Sequence, residues 1–340
     1  MNGQHPWMPV SPCGQRCLPP ADSVPAVAPI RQLLRLLATA TMLMAGVVLA
    51  AVLPLLGPAQ RRRALRAWHR AVLRALRIKL EISGGDRFAD PAAGILVVSN
   101  HVSWLDLVVL GAVQPLRMVA KSEIRGWPVV GPLARRTGTI FVDRQRLSAL
   151  PATVAAISRE LAGGAAIGVF PEGTTWCGLA TGRFRPAVFQ AALDSATSVR
   201  PVALRYCLAG AGATTVASFV GSTTLWEAVL RVAGVHGVLV KVHLLPPLPT
   251  AGLDRRTLAT RAEAAITAVT MPAVTLPPLN SVLGTNHLTA HRVGHVTPST
   301  VSSSPRRAGA RSGRRHPMPC CESAHPPVAT GPESASWLPR

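Results

Sequence analysis

An uncharged stretch of 21 residues, positions 36–56, most restricts what this chain can fold into. As an α-helix it would be about 30 Å long, which matches the hydrocarbon core of a bilayer. A secretory signal peptide would have a shorter apolar core, lie nearer the N-terminus and end in a cleavage site of small residues. A buried core helix is the other alternative. Length and absence of charge together predict that residues 36–56 form a membrane-anchoring helix.

Arginines follow this stretch. Seven lie between positions 61 and 77, whereas the preceding flank holds two, Arg31 and Arg35. By the positive-inside rule, this bias places the following domain on the cytoplasmic side of the cell membrane. Within 61–77 a row of arginines borders an apolar stripe, which is typical of a helix on an anionic membrane surface or of one packed on the domain. The row is Arg62, Arg66, Arg70 and Arg74, and the stripe is Leu65, Trp68, Val72 and Leu76. We therefore predict a membrane anchor at 31–77, made of helix 36–56 and basic amphipathic helix 61–77.

Both ends of the chain have the composition of disordered segments. Residues 1–30 are rich in proline and lack periodicity, and residues 281–340 are rich in Pro, Ser, His and Arg. The six cysteines lie mostly in these regions, without CxxC spacing, which favours reduced thiols over disulfides. We therefore predict a disordered lead at 1–30, a disordered basic tail at 281–340 and no metal site.

A formal net charge of +21 would suit a polyanion, either nucleic acid or an anionic membrane. The chain has one tyrosine and six phenylalanines, too few for an aromatic platform that stacks bases, and it contains no recognised nucleic-acid motif. Membrane lipids are therefore the expected partner, and specific binding of a nucleic acid is not expected.

Short apolar segments alternate with amphipathic ones between 78 and 275. Strands are predicted near 78–82, 95–98, 117–120, 139–142, 166–170, 199–206 and 237–245. Helices are predicted at 104–113, 122–136, 149–161 and 187–196, with a last helix at 254–269. This alternation is typical of an α/β domain whose mainly parallel sheet carries helices on both faces.

A histidine and an aspartate stand where a buried strand gives way to a helix. His101 follows the strand at 95–98, and Asp106 comes five residues later. Open α/β sheets bind ligands at the carboxyl ends of their strands, where a histidine can act as general base and a carboxylate can orient it. Ser103 and Asp106 also have the spacing of a helix capping box, which would make Asp106 purely structural.

Three further blocks lie at predicted strand ends or starts. Gly138 opens a strand that ends beside Arg144, whose guanidinium could grip a phosphate. The block at 170–174 is a loop shaped by Pro and Gly that could present backbone amides or a carboxylate to a substrate. Pro201 and Val202 lie in the strand at 199–206, whose proline predicts an edge or strand-start position. Each block alone also fits an ordinary turn, a surface ion pair or a core strand.

The four blocks together resemble the lysophospholipid acyltransferase family, which includes 1-acylglycerol-3-phosphate acyltransferases. Asn100, His101 and Asp106 match its Asn-His-x-x-x-x-Asp block. The matches in the later blocks are Gly138, Ile140, Phe141 and Arg144, then Phe170, Pro171, Glu172, Gly173 and Thr174, and finally Pro201 and Val202. The resemblance covers about residues 78–270, and it is specific because the blocks occur together and in order.

This resemblance implies transfer of a fatty acyl group, without a cofactor, from acyl-coenzyme A or acyl carrier protein to the hydroxyl of a lysolipid. The acceptor expected first is 1-acyl-sn-glycerol-3-phosphate, which would become phosphatidate. His101 would be the general base with Asp106 as its partner. The other implied roles are acceptor-phosphate binding by Arg144, Glu172, Gly173 and Thr174, and acyl-chain binding by Pro201 and Val202.

One position departs from the family's pattern. Typical lysophosphatidate enzymes carry arginine directly after Glu-Gly-Thr, whereas this chain has Thr175. Either Arg183 or Arg185 replaces that contact, or the acceptor is another lysolipid such as lyso-ornithine lipid. A non-catalytic membrane-tethering protein is the alternative of another class, and the presence of both His101 and Asp106 argues against it.

Overall fold

The structure is a computed structural model that describes residues 9–90, 93–127, 130–143 and 146–271. Its α-helices are α1 (Pro29–Val52), α2 (Pro58–Ala75), α3 (Asp106–Val113), α4 (Val130–Arg136), α5 (Leu150–Ala162), α6 (Phe189–Asp194), α7 (Leu225–Ala233) and α8 (Arg255–Thr270). Its strands are β1 (Lys79–Ser83), β2 (Ile95–Ser99), β3 (Arg117–Lys121), β4 (Ile140–Val142), β5 (Ala166–Val169), β6 (Val199–Leu208), β7 (Gly212–Ala213) and β8 (Val238–Leu244). The predicted tail at 281–340 lies outside the described residues.

The described strands form one sheet in the order β1-β8-β6-β2-β5-β3-β4, with β7 paired to β6. β2 lies in the middle and pairs in parallel with both β5 and β6, and β3 and β4 continue the parallel part. β8 is antiparallel to β6 and parallel to β1, so these two strands run the other way. The predicted mainly parallel sheet is confirmed.

Helices cover both faces of this sheet. All five residues of β2 are buried, and they alternate between two hydrophobic clusters, with Val97 on one face and Leu96 and Val98 on the other. The first cluster includes residues of α2, α3 and α7, and the second includes residues of α5, α6 and α8. Burial on both faces is why residues 95–98 of β2 form an unbroken apolar run, which Ser99 ends.

Pro201 is the third residue of β6, which is a central strand and not an edge. The prediction of an edge position is therefore wrong, although the position close to the strand's start is as predicted. The pairing of β6 with β8 begins at Val202 opposite Leu244, the last residue of β8. Pro201 thus comes one residue before the β6–β8 ladder, so the N–H that proline lacks removes no hydrogen bond from that ladder. The carbonyl of Pro201 accepts the N–H of Leu245 at 3.0 Å.

The described part of the N-terminal segment, residues 9–28, packs on the domain, so the prediction of a disordered lead is wrong there. Ala26 bridges Val235 in antiparallel fashion, and Val27 N–H donates to Gly234 O at 2.9 Å. Cys13 and Cys17 are buried. The low periodicity of this segment reflects turns and single bridges, which satisfy its backbone against the domain without regular structure.

Helices α1 and α2 form a hairpin. Trp68 on α2 donates its indole N–H to Met42 O on α1 at 2.7 Å, and a Cβ at Gly46 would lie 2.6 Å from the Trp68 ring. α1 begins at Pro29, before the predicted start at 36, and its Arg35 donates to Ala233 O and Val235 O. It is long and apolar enough to cross a membrane. The exposed large apolar side chains at 30–55 are Ile30, Leu33, Leu34, Leu37, Leu43, Met44, Val47, Val48, Val52 and Leu55.

The apolar stripe of α2 faces the protein. Leu65, Val72 and Leu76 are buried. Two arginines of the charged row donate to the carbonyl of Ala112, near the end of α3, Arg66 at 3.4 Å and Arg70 at 3.0 Å. Cations are favourable at a helix C-terminus, where carbonyl groups lack intrahelical partners. The basic row therefore has a structural function, and its contact with an anionic membrane surface stays a prediction.

Candidate active site

The carboxyl ends of the parallel strands bring the predicted blocks to one edge of the sheet. β2 ends at Ser99 just before His101, and its parallel neighbour β5 ends at Val169 just before the 170–174 loop. β4 ends at the same edge with Val142. Arg144, the predicted phosphate contact after β4, lies outside the described residues.

Asn100 fixes the point at which the chain leaves β2. Its Nδ2 donates to Leu204 O at 3.0 Å, and its Oδ1 accepts the N–H of Leu204 at 2.9 Å. The side chain thus satisfies both the N–H and the C=O of Leu204 on β6, and Asn100 is 2% exposed. This paired contact ties the backbone before His101 to the central strand, so Asn100 acts as a positioning residue.

His101 and Asp106 form a direct hydrogen-bonded pair. His101 Nδ1 lies 2.8 Å from Asp106 Oδ2, the His101 side chain is 20% exposed, and Asp106 is fully buried. An ionised carboxylate can only accept, so a neutral His101 bonded to it carries its proton on Nδ1 and leaves the lone pair of Nε2 free. The imidazole also stacks on the ring of Phe170, with 4.0 Å between centroids and 7° between planes. The histidine is therefore held in one orientation and in the tautomer that a general base needs.

Asp106 also bonds the backbone. Its Oδ2 accepts N–H groups from Val102 at 2.7 Å and Ser103 at 2.9 Å, and the second of these is half of the predicted capping box. In the other half, Ser103 Oγ accepts from Leu105 N and not from Asp106 N. The structural and the orienting interpretations of Asp106 both hold, because one oxygen serves the backbone and the imidazole together.

Tyr206 completes this network. It is the only tyrosine in the chain, it is buried on β6, and its hydroxyl donates to Asp106 Oδ1 at 2.6 Å. Burial and the neighbouring Asp106 charge raise the pKa of Tyr206 well above its usual value, so the hydroxyl keeps its proton and stays a donor. No motif identified this residue. The available signal was a lone tyrosine within an apolar strand, since a buried hydroxyl needs a partner.

We expect Tyr206→Phe to lower kcat about tenfold while leaving KM for donor and acceptor unchanged. The loss of one hydrogen bond to a buried carboxylate also costs about 1–3 kcal/mol of stability. Steady-state kinetics and thermal unfolding would measure both effects. Introduced into a His101→Ala background, Tyr206→Phe should change activity no further, because it acts through the imidazole. A rise in KM with unchanged kcat would contradict this positioning role.

Glu172 points into the protein, which corrects its predicted contact with an acceptor phosphate. It is 3% exposed, and its carboxyl accepts the N–H of His101 at 2.6 Å and the N–H of Gly182 at 2.9 Å. Burial raises the pKa of Glu172 to about 8, although the two N–H groups act in the opposite direction. Its contacts therefore link the backbone of His101 to the loop after β5 and to Gly182.

This buried carboxyl predicts a pH dependence of stability. Between its ordinary pKa of 4.5 and about 8, Glu172 holds a proton in the folded protein that the unfolded chain has released. Stability therefore falls as the pH rises through this window. The glutamine in Glu172→Gln cannot titrate, so this variant should flatten the pH dependence of stability. Its amide N–H would also face a backbone N–H, which should lower stability by about 1–3 kcal/mol at low pH. Unfolding at pH 5–9 in detergent would measure this, with exposed Glu123→Gln as the control. Parallel curves for wild type and Glu172→Gln would refute it.

Of the remaining residues predicted to belong to the site, some lie in loops and others in the hydrophobic core. Gly173 has φ +75°, a left-handed conformation that favours glycine, and Gly138 has φ +79° at the end of α4. Pro171 is buried, and its carbonyl accepts Arg185 N–H at 2.9 Å. The half-buried Thr174 stays a predicted phosphate contact.

Pro201 and Val202 lie in the core, and Val202 is fully buried in the cluster around β2 and α3. Both residues belong to a central strand covered on both faces, and acyl binding by them stays a prediction. In this structure they stabilise the sheet beneath the site.

Comparisons with known proteins agree on one family. Residues 79–205 match the family model described as Acyltransferase. The chain is 34% identical to the lyso-ornithine lipid O-acyltransferase of Pseudomonas aeruginosa over 215 residues, which are 61% of this chain and 78% of that protein. It is 40% identical to the 1-acyl-sn-glycerol-3-phosphate acyltransferase of Neisseria meningitidis over 149 residues, 44% of this chain and 58% of that protein.

A solved structure shares the fold. It is that of the 1-acyl-sn-glycerophosphate (LPA) acyltransferase PlsC from Thermotoga maritima, with a TM-score of 0.55. The alignment covers 71% of this chain and 95% of that one at 18% sequence identity.

Proposed function

Since this chain belongs to the lysophospholipid acyltransferase family, we propose that it moves a fatty acyl group from acyl-coenzyme A or acyl carrier protein to the hydroxyl of a lysolipid. The observation that carries this proposal is the His101–Asp106 pair at the carboxyl end of β2, with Nε2 of His101 left to accept a proton. The reaction needs no cofactor beyond the acyl donor.

In the proposed mechanism, His101 Nε2 takes the proton of the acceptor hydroxyl as its oxygen attacks the thioester carbonyl. Asp106 stabilises the imidazolium that forms, at a distance of 2.8 Å. The tetrahedral intermediate then expels the thiolate as the C–S bond breaks, and the imidazolium returns the proton to the sulfur. No acyl-enzyme forms, since the hydroxyl attacks the donor directly.

We propose 1-acyl-sn-glycerol-3-phosphate as the acceptor. Arg183 and Arg185 are exposed on the segment that follows the 170–174 loop, and Arg185 is bonded to that loop through Pro171 O. Guanidinium groups bind phosphate with paired hydrogen bonds, so these two arginines, with Arg144, supply the positive charge that Thr175 does not.

Lyso-ornithine lipid is the second candidate, and Thr175 is the observation that favours it. The Thr175 hydroxyl donates to Phe219 O, so the position after Glu-Gly-Thr offers no cation to a phosphate. The Pseudomonas aeruginosa relative, of which this chain covers 78%, is named for lyso-ornithine lipid. Ornithine carries an ammonium and a carboxyl group where lysophosphatidate has a phosphate, so the two acceptors need different contacts.

Acyl transfer by the purified protein to a panel of lysolipids tests the proposal. With labelled acyl-coenzyme A and acyl carrier protein, we expect transfer to 1-acylglycerol-3-phosphate, and Arg185→Ala should raise KM for that acceptor about tenfold or more. Arg159→Ala, which alters an arginine on α5, is the matched control. Transfer to lyso-ornithine lipid alone, insensitive to Arg185→Ala, would make it the acceptor. Absence of transfer to every lysolipid would favour a tethering protein.

We also propose that the α1–α2 hairpin is a monotopic anchor in the cytoplasmic leaflet of the cell membrane. Residues 9–28 before α1 and the domain after α2 contact each other, so one crossing by α1 would separate segments that are packed together. The arginines at 61–63 follow the hairpin turn and are exposed, which suits lipid headgroups better than the bilayer centre. Reporter tags at the two chain ends should both be found in the cytoplasm. Tags on opposite sides would refute this topology.

A further inference from the structure

Three cysteines distant in sequence meet beside the loop after β5. Cys13 and Cys17 come from the N-terminal segment, and Cys177 lies four residues beyond Gly173. Their sulfur atoms all lie within 4.8 Å of one another, and the residues are 5%, 0% and 0% exposed. The Cys177 N–H donates to Cys13 Sγ at 3.4 Å. Sequence spacing indicated no metal site here, because the third cysteine is 160 positions from the second.

The arrangement has the properties of a thiolate metal site. Four sulfurs around zinc at a Zn–S distance of 2.3 Å are about 3.8 Å apart, so small side-chain rotations would bring these three to binding distance. Cys13 and Cys17 are separated by three residues, within the two to four residues usual between paired zinc ligands. Among the described residues no histidine or carboxylate joins the group, so a bound ion would be three-coordinate or take a water as fourth ligand.

We propose that Cys13, Cys17 and Cys177 bind one thiophilic metal ion, Zn²⁺ or Cu⁺, which ties the N-terminal segment to the loop of the candidate active site. The metal site lies close to the candidate active site, because Trp176, beside Cys177, donates its backbone N–H to His101 O at 2.8 Å. Pro9 lies over the same loop, where a Cβ on Gly173 would come within 2.6 Å of its ring. The ion therefore stabilises the segment and loop that flank His101, and it takes no part in the transfer.

Metal analysis of the purified full-length protein tests this site without an activity assay. We expect about one equivalent of Zn²⁺ or Cu⁺ per chain, and Co²⁺ exchanged into the site should give thiolate charge-transfer absorption. Separate replacements Cys13→Ser, Cys17→Ser and Cys177→Ser should each lower metal content at least tenfold. Cys207→Ser, which alters a buried cysteine on β6 outside the group, is the matched control and should keep the metal.

Trypsin gives a second readout. Arg16 is exposed between the two N-terminal cysteines, so its peptide bond becomes a cleavage site when the segment detaches. Chelation of the metal should speed cleavage after Arg16 at least tenfold in wild type and leave the already fast cleavage of Cys17→Ser unchanged. Protein without stoichiometric metal after loading with Zn²⁺ or Cu⁺, equal metal content in all variants, or a disulfide among the three cysteines under reducing conditions would each overturn the proposal.

Discussion

His101→Ala is expected to lower acyl transfer about 10²- to 10⁴-fold, the range that a positioned general base contributes. The residual activity would come from binding of the two substrates side by side. The variant should remain folded, because the imidazole is 20% exposed and makes one side-chain hydrogen bond and one ring contact. Initial rates at saturating donor and acceptor, together with thermal unfolding, would separate loss of catalysis from loss of structure.

His236→Ala is the matched control, since His236 is exposed at the turn before β8 and outside the site. It should retain wild-type activity. His101→Ala protein that is folded and transfers acyl groups at more than a tenth of the wild-type rate would show that His101 is not the general base.

Asp106→Asn is expected to lower kcat about 10²-fold or more with little change in KM. The asparagine carbonyl can replace Oδ2 and still accept from His101 and from the backbone of Val102 and Ser103. Its amide would face the Tyr206 hydroxyl, which can accept as well as donate. The geometry is thereby kept while the negative charge that stabilises the imidazolium disappears, so the loss measures the charge alone.

The exposed Asp86→Asn serves as control for the change of one carboxyl to an amide. Asp106→Ala is a less informative variant, because it leaves two backbone N–H groups and His101 Nδ1 without their acceptor and should unfold at lower temperature. If Asp106→Asn were folded and within threefold of wild-type activity, Asp106 would be a helix cap and not a partner of the base.

The alternation of apolar segments by itself determined the α/β class and nearly every central strand. Because β2 is buried on both faces, residues 95–98 had to be apolar whatever packs on them, and only its last residue, Ser99, is polar. Helix α7 was missed because its nine residues follow an irregular region, although Thr224 and Glu227 form the capping box that marks its start. The order of the strands, and the reversal of β1 and β8, depend on long-range pairing that no local pattern encodes.

In the candidate active site, too, the sequence determined some contacts and the tertiary structure decided others. The spacing of His101 and Asp106 determined that they could meet, because five residues span a strand end and the first turn of a helix. Only the tertiary structure decided that Tyr206 holds Asp106, that Glu172 turns inward to backbone amides, and that Cys177 lies beside Cys13. The bonds between Glu172 and His101, Tyr206 and Asp106, and Cys177 and Cys13 join residues 71, 100 and 164 positions apart. The sequence determines the chemistry of these side chains, but they come close together only when the sheet forms. Burial then requires each polar group to have a hydrogen-bond partner.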